Sequence, residues 1–293
     1  MTQLIQTLVL GLLLGGVYAL MASGLTLIFG VMDVINVAQG ALIILAAFIT
    51  WAAWSQTGLD PLLGVLVTTP AMFLIGYGLY MSTVRWIQGK APSTSVILTF
   101  GLALVIEGVM GLVWTATLHR ATPGYFNQSF TVGDIYLRKG QVFACAIAIG
   151  VLAILYVILR VTWLGRAIRA VSANMSSARL VGVRPTTVAA LTFAVGVATA
   201  GAGGSLAAVL YPFLPASHYA WISRLLGIIV LGGMGSLPGA VVGALLLGVA
   251  ETMTQTYVSP QWATLVPWAV ILVVLLLRPQ GLMGQRLRED VAI

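Results

Sequence analysis

Apolar runs of about 20 residues recur along this chain, and no other feature restricts its fold as severely. They fall at roughly 4–22, 24–54, 62–82, 94–115, 141–160, 188–210, 225–253 and 262–277, and each is long enough to cross ~30 Å of hydrocarbon. A water-soluble domain has no interior for so much apolar length, because only 7% of the residues are charged. A transmembrane barrel would need alternating segments of ~10 residues, and these runs are longer and continuous. The 33 glycines suit helices that approach one another closely in lipid. The expectation is an all-α polytopic membrane protein with about 8–10 transmembrane helices, broken helices among them. It forms a single transmembrane domain over 1–293.

Charge sets the expected orientation. The first 84 residues hold no Lys or Arg, so the opening run lacks the basic start of a cleaved leader and reads as a retained span. Positive residues collect at 83–92 (Arg85, Lys90), 160–186 (Arg160, Arg166, Arg169, Arg179, Arg184) and 278–290 (Arg278, Arg286, Arg288), which places these connections in the cytoplasm. The loop 116–140, with His119, Asp134 and a turn-prone TPGYFNQ, then lies outside with the N-terminus, although its Arg120, Arg138 and Lys139 run against the rule. The formal charge of +7 records topology in this setting and gives no reason to expect nucleic acid.

Eight simple crossings would leave both termini outside, in conflict with the basic C-terminal tail, so one run must be split. In 225–251, Gly232, Gly233, Gly235, Pro238 and Gly239 divide the run into two short helices. Non-helical backbone survives at membrane depth only inside protein or along a wet cavity, so such a break marks a route. The stretch 27–47 can be laid on 229–250 with Gly30 on Gly232 and Met32 on Met234, which suggests inverted repeat halves at about 1–115 and 188–280. The external loop 116–140, a linker span 141–160 and a cytoplasmic segment 161–187 would join them.

Catalytic and nucleotide-binding signatures are missing. No Gly-x-x-x-x-Gly-Lys-Ser/Thr loop occurs, the two lysines are Lys90 and Lys139, and neither His-Glu-x-x-His nor Gly-x-Ser-x-Gly appears. Cys145 is the only cysteine, so disulfides and thiolate clusters are excluded. His119 and His218 read as ordinary loop residues. Ionisable groups inside apolar runs are costly and therefore informative. Asp33 sits in the early break beside Asn36, Gln39 and Gly40, where it either lines a cavity or ends a helix. Glu107 reads as a satisfied structural group and Glu251 as solvated at an interface. The expected translocation residues are Asp33, Asn36, Gln39, Gly40, Gly232, Gly233, Gly235, Pro238 and Gly239.

The segment GRAIRAVSANMSSARLVGV, 165–183, is basic and poor in large aliphatic residues. On one helix, Ala167, Ala170, Val171, Asn174 and Ala178 share a face, with Arg166, Arg169, Ser172 and Ser176 elsewhere. Gly182 and Arg184-Pro185 end the element. A small-residue face suits a protein groove better than lipid headgroups; the alternative is a solvated connection whose arginines set topology.

This segment resembles the cytoplasmic coupling segment of permease subunits of ABC importers of the branched-chain amino acid type. The similarity extends to YALMASGLTLIFGVMDVINVAQG, LGGMGSLPGAVVGALLLGVAE and LRPQGLMG, from Tyr18 to Gly284. The resemblance implies a bacterial inner-membrane subunit that is not an enzyme and binds no cofactor of its own. It pairs with a second permease of similar fold and with two cytoplasmic ATPases that carry ATP and magnesium, and an extracytoplasmic binding protein delivers branched-chain or other amino acids. Gly165, Arg166, Ala167, Arg169, Ala170, Ala178, Leu180 and Gly182, together with Asn174, would couple to the ATPase. Asn36 and Gly40 match the early motif, whereas Gln39 and Ala41 stand where the family commonly carries His and Glu. A self-contained secondary transporter or channel, with Glu107 or Asp33 coupling an ion, is the competing reading.

Overall fold

The computed structural model describes residues 2–132, 135–278 and 280–284. Asp134, Arg286 and Arg288 lie outside them. Seven helices are long and apolar enough to cross a membrane: α1 (Thr2–Met32), α2 (Gln39–Thr57), α3 (Val65–Ser82), α4 (Pro92–Trp114), α5 (Lys139–Val161), α8 (Pro185–Leu210) and α10 (Leu237–Tyr257). Shorter apolar stretches form α9 (His218–Gly232) and α12 (Val266–Leu277), while α6 (Trp163–Ala173), α7 (Met175–Leu180) and α11 (Pro260–Ala263) are connections.

Two boundaries differ from the sequence expectation. The first helix does not stop near residue 22 but continues to Met32. Ser23 and Gly24 fail to interrupt it because the Ser23 hydroxyl donates back to the Leu20 carbonyl at 2.7 Å and Gly24 serves packing, its α-carbon facing the Gly196 carbonyl and Thr199. The chain turns instead at Asp33, whose φ of 53° is left-handed, and it stays non-helical to Ala38. The late run also begins earlier than its aliphatic residues suggest, at His218, and of its two helices only α9 is short. Leu237–Tyr257 has 21 residues, enough to cross unaided.

Buried along most of its length, α8 is the axis of the bundle, and α1, α2 and α3 pack against it. Its sequence is almost wholly Ala, Gly, Val and Thr because neighbouring backbones reach it directly. A β-carbon on Gly201 would lie 2.8 Å from the Met72 side chain, and one on Gly204 would meet the Ile43 carbonyl. In lipid no hydrophobic drive separates helix from helix, so close contact and interhelical hydrogen bonds decide association. Ser205 supplies both bonds, to the Thr50 hydroxyl at 2.7 Å and the Thr68 hydroxyl at 2.5 Å.

The same device joins α1 to α10. A β-carbon on Gly15 would come 2.7 Å from the Leu245 α-carbon, and one on Gly248 would come 2.6 Å from the Gly15 nitrogen.

At one end of the bundle the 116–140 connection carries a small antiparallel hairpin, β1 (Ser129–Val132) and β2 (Ile135–Arg138), directly after the turn-prone TPGYFNQ, which forms a tight turn at Gly124–Asn127. His119 and Phe213 exchange backbone hydrogen bonds at 2.8 and 2.9 Å, tying the loop to the end of α8. Tyr125 donates to Asp60 at 2.8 Å. Burial, and then that carboxylate, push the Tyr125 hydroxyl well above its ordinary value.

Substituting Gly248→Val is expected to cost about 1–3 kcal/mol by forcing α1 and α10 apart, whereas Gly150→Val, where nothing approaches within 4 Å, leaves stability nearly unchanged. Thermal unfolding of the detergent-solubilised protein distinguishes the two.

Candidate functional site

The early break carries six residues of non-helical backbone, 33–38, into protein. Asn36 and Gln39 are fully buried. The Asn36 amide donates to Gln39 Oε1 at 3.1 Å, and Gln39 Nε2 donates to the Gly196 carbonyl of α8 at 3.0 Å. From the other side α4 presents Thr99, whose hydroxyl accepts from the Val37 nitrogen at 3.0 Å and donates to the Ile35 carbonyl at 3.0 Å. Ser95, one turn earlier, receives the Ile35 nitrogen at 3.4 Å. The break is thus a strap clamped between α4 and α8. Gly40 lets α9 sit on it: a β-carbon there would lie 2.6 Å from the His218 carbonyl. Asp33 is exposed at the end of α1 and takes no part in the clamp, in keeping with the helix-end alternative.

The late break occupies 233–236. Gly232 and Gly239 touch backbone to backbone, Gly233 and Gly235 have φ of 100° and 81°, and the Ser236 hydroxyl caps α10 through the Gly239 nitrogen at 3.1 Å. Pro238 is exposed in the first turn of α10. The closing residues complete this corner, because the Leu282 and Met283 nitrogens donate to the Leu231 and Gly232 carbonyls at 2.8 and 3.0 Å, satisfying acceptors that a helix end leaves open. The late break abuts the last turn of α1, where Gly30 meets Gly235.

Two further polar clusters join the helices. Glu251 is 1% exposed and pairs with Arg224 at 2.9 Å, while the Tyr18 hydroxyl donates to its other oxygen at 2.6 Å. The Trp221 ring packs edge-on against Tyr18 and Tyr211. This corrects the interfacial reading of Glu251. A cavity of about 440 Å³ is lined by Gln6, Tyr136, Arg138, Gln141, Tyr211 and Thr252, the residue after Glu251. In the second cluster His218 Nε2 and the Tyr219 hydroxyl both contact Glu107 Oε2, at 3.0 and 3.2 Å. His218 is therefore no loop residue; it is buried in the first turn of α9. His119 does lie in the loop, against the Trp51 ring.

The segment 165–183 forms two helices, not one. They part at Asn174, whose extended backbone leaves its side chain to accept the Ser177 nitrogen at 2.9 Å and start α7. Gly165, Ala167, Ile168, Val171 and Ala178 are buried against the bundle, and Ala170 is half-buried, so the small-residue face expected to meet a partner is used internally. Arg166 and Arg169 reach back to the Val161 and Leu159 carbonyls at 2.9 and 2.6 Å, closing the end of α5. Gly165 has no side chain because it lies on the Leu159 carbonyl. What projects is the turn after α7, with Leu180 89% and Val181 75% exposed and Gly182 at φ 83°.

A family profile described as branched-chain amino acid transport system / permease component matches residues 7–275. The chain belongs to this family. The permease is 27% identical to the high-affinity branched-chain amino acid transport system permease protein LivH of Escherichia coli (strain K12), over 96% of each chain. It is 28% identical to BraD of Pseudomonas aeruginosa, again over 96% of each, and 24% identical to a probable LivH of Methanocaldococcus jannaschii over 90% of this chain and 88% of the relative. Among solved structures, PsaBC from Streptococcus pneumoniae in complex with Fab shares the fold at a TM-score of 0.50 and 11% identity, covering 94% of this chain and 92% of the other.

Sequence reading missed four of the permease's polar residues. Thr99 and Ser95 have a visible signal, hydroxyls one turn apart in an otherwise apolar run. Arg224 and His218 fell outside the run drawn from Leu225, although Trp221, Ile222 and Leu225 continue its helical spacing upstream.

Thr99→Val removes both bonds to the strap and is expected to cost about 1–3 kcal/mol, with Thr99→Ser close to wild type, in thermal unfolding. Glu251→Gln leaves Arg224 buried without its charge partner and is expected to lose about 3 kcal/mol or more. The double variant Glu251→Gln/Arg224→Gln loses less than the sum of the two single variants.

Proposed function

We propose that this permease is the membrane subunit of an ATP-driven ABC importer for branched-chain or chemically similar amino acids, working by alternating access. Family membership supports transport, and one observation carries the coupling. The 163–182 segment is bonded through arginines to the end of α5 and packed by small residues onto the bundle, and its far end, Leu180 and Val181, is an apolar tip in the open. A segment fixed in this way moves as a lever with α5 and α8, and its tip fits a groove on a cytoplasmic ATPase.

The remaining parts of the reading follow from the resemblance and from charge. A second permease, two ATPases holding ATP and magnesium, and an extracytoplasmic binding protein complete the importer, and this chain holds no cofactor. The end bearing 165–183 is cytoplasmic and the end bearing the hairpin is outside, with the N-terminus outside and the C-terminus inside. The repeat halves 1–115 and 188–280 each contribute one break to the route: Asn36, Gln39 and Gly40 on one side, Gly232, Gly233, Gly235, Pro238 and Gly239 on the other. Gln39 is engaged in the clamp and Ala41 is buried, so their departure from the family motif alters how the strap is held. A ligand biases such a two-state element only by binding its states unequally, which is the work assigned to nucleotide on the partner subunits.

The test is co-purification from native membrane with an uptake assay. Wild type is expected to recover an ATPase and to support ATP-dependent leucine uptake, and Leu180→Asp/Val181→Asp to lose at least tenfold of the recovered ATPase while inserting normally. Leucine uptake by the purified chain alone, driven by an ion gradient, would overturn the proposal in favour of secondary transport.

A further inference from the structure

Of the seven acidic residues in the sequence, two lie well inside the transmembrane helices. Glu251 has Arg224 beside it. Glu107 has no Lys or Arg partner among the described residues. It stands on α4 about 10 Å short of that helix's C-terminal end, given a rise of ~1.5 Å per residue, and its side chain is 24% exposed. A carboxylate at that depth is costly against lipid, and such groups face a bundle interior, a partner or a wet route.

The local geometry leaves the charge available. Both contacts to the carboxylate, from His218 Nε2 and the Tyr219 hydroxyl, fall on Oε2, and among the described residues Oε1 accepts nothing. His218 reaches the carboxylate through Nε2, and its Nδ1 is buried without a hydrogen-bond partner. The first turn of α9, which carries both groups that contact Glu107, is tied to the strap, since the His218 carbonyl packs on Gly40 at the start of α2.

We propose that Glu107 receives the ammonium group of the transported amino acid through its free Oε1, with His218 and Tyr219 as positioning residues. The proposal rests on the reading of the chain as an amino acid permease. A primary ammonium on a zwitterion is the chemistry that fits. It brings one positive charge and three donors to a carboxylate oxygen that lacks both, and it leaves with the substrate, so the charge is uncompensated only between transport events.

The complete transporter in proteoliposomes, with saturating leucine-loaded binding protein, tests this. Glu107→Gln keeps the shape of the side chain and is expected to lower maximal ATP-dependent leucine uptake about tenfold or more. Glu107→Asp is expected to retain more activity than the glutamine variant, and Tyr219→Phe to fall by a few-fold, each assembling with wild-type stoichiometry. As a second readout, labelling of Glu107 by a hydrophobic carbodiimide is slowed by leucine and not by 4-methylpentanoate, the same skeleton without the ammonium. Wild-type uptake by Glu107→Gln, or equal protection by both compounds, would overturn the proposal. Failure of Glu107→Gln to assemble would instead make the carboxylate a contact to the second permease. If the wild-type complex moves no leucine at all, the functional reading itself fails, a result separable from the others because it precedes any variant.

Discussion

The non-helical backbone of 33–38 is the constraint around which this molecule is arranged. Between its ends it leaves amide and carbonyl groups that lipid cannot satisfy, so the surrounding helices must. Thr99 on α4 bonds the strap from one side, and the Gln39 amide ties its end to the Gly196 carbonyl of α8 on the other. The bundle's reliance on glycine and alanine follows. Only small residues allow α1, α2 and α3 to reach α8 closely enough for Gln39 to find the Gly196 carbonyl.

Charge is handled by the same logic in two different ways. Glu251 is fully enclosed and given every partner a carboxylate needs: an arginine, a tyrosine hydroxyl and a surrounding cage of aromatic rings. It behaves as a fixed joint between α1, α9 and α10. Glu107, with 24% of its side chain exposed, is contacted through one oxygen only.

The segment 165–183 shows how the faces of a helix can be misread from sequence. Its position between two apolar runs and its arginines are plain in the sequence, and so is its end at Gly182. The direction of its faces was not, because Ala167, Ile168 and Val171 suit a partner's groove and the chain's own bundle equally well. The structure turns them inward and uses Arg166 and Arg169 as caps for α5, leaving Leu180 and Val181 as the outward feature.

Length and hydropathy by themselves determined that the chain is a helical membrane bundle, because no other backbone arrangement satisfies such apolar runs in lipid. Composition also located both Gly-rich breaks to within a few residues, since Asp33, Asn36 and the Gly232 to Gly239 cluster are locally incompatible with a continuous apolar helix. Tertiary structure decided the rest. Whether Ser23-Gly24 ends a helix, whether Glu251 meets solvent or Arg224, and whether His218 belongs to a loop or to a buried cluster all depend on residues distant in sequence. The nearest side chain to Glu251 that can neutralise it is 27 positions away, and the one that bonds Glu107 is 111 away. Local patterning carries no information about such pairs, because what fixes them is which helices approach, and that approach is set by the small-residue contacts of the assembled bundle.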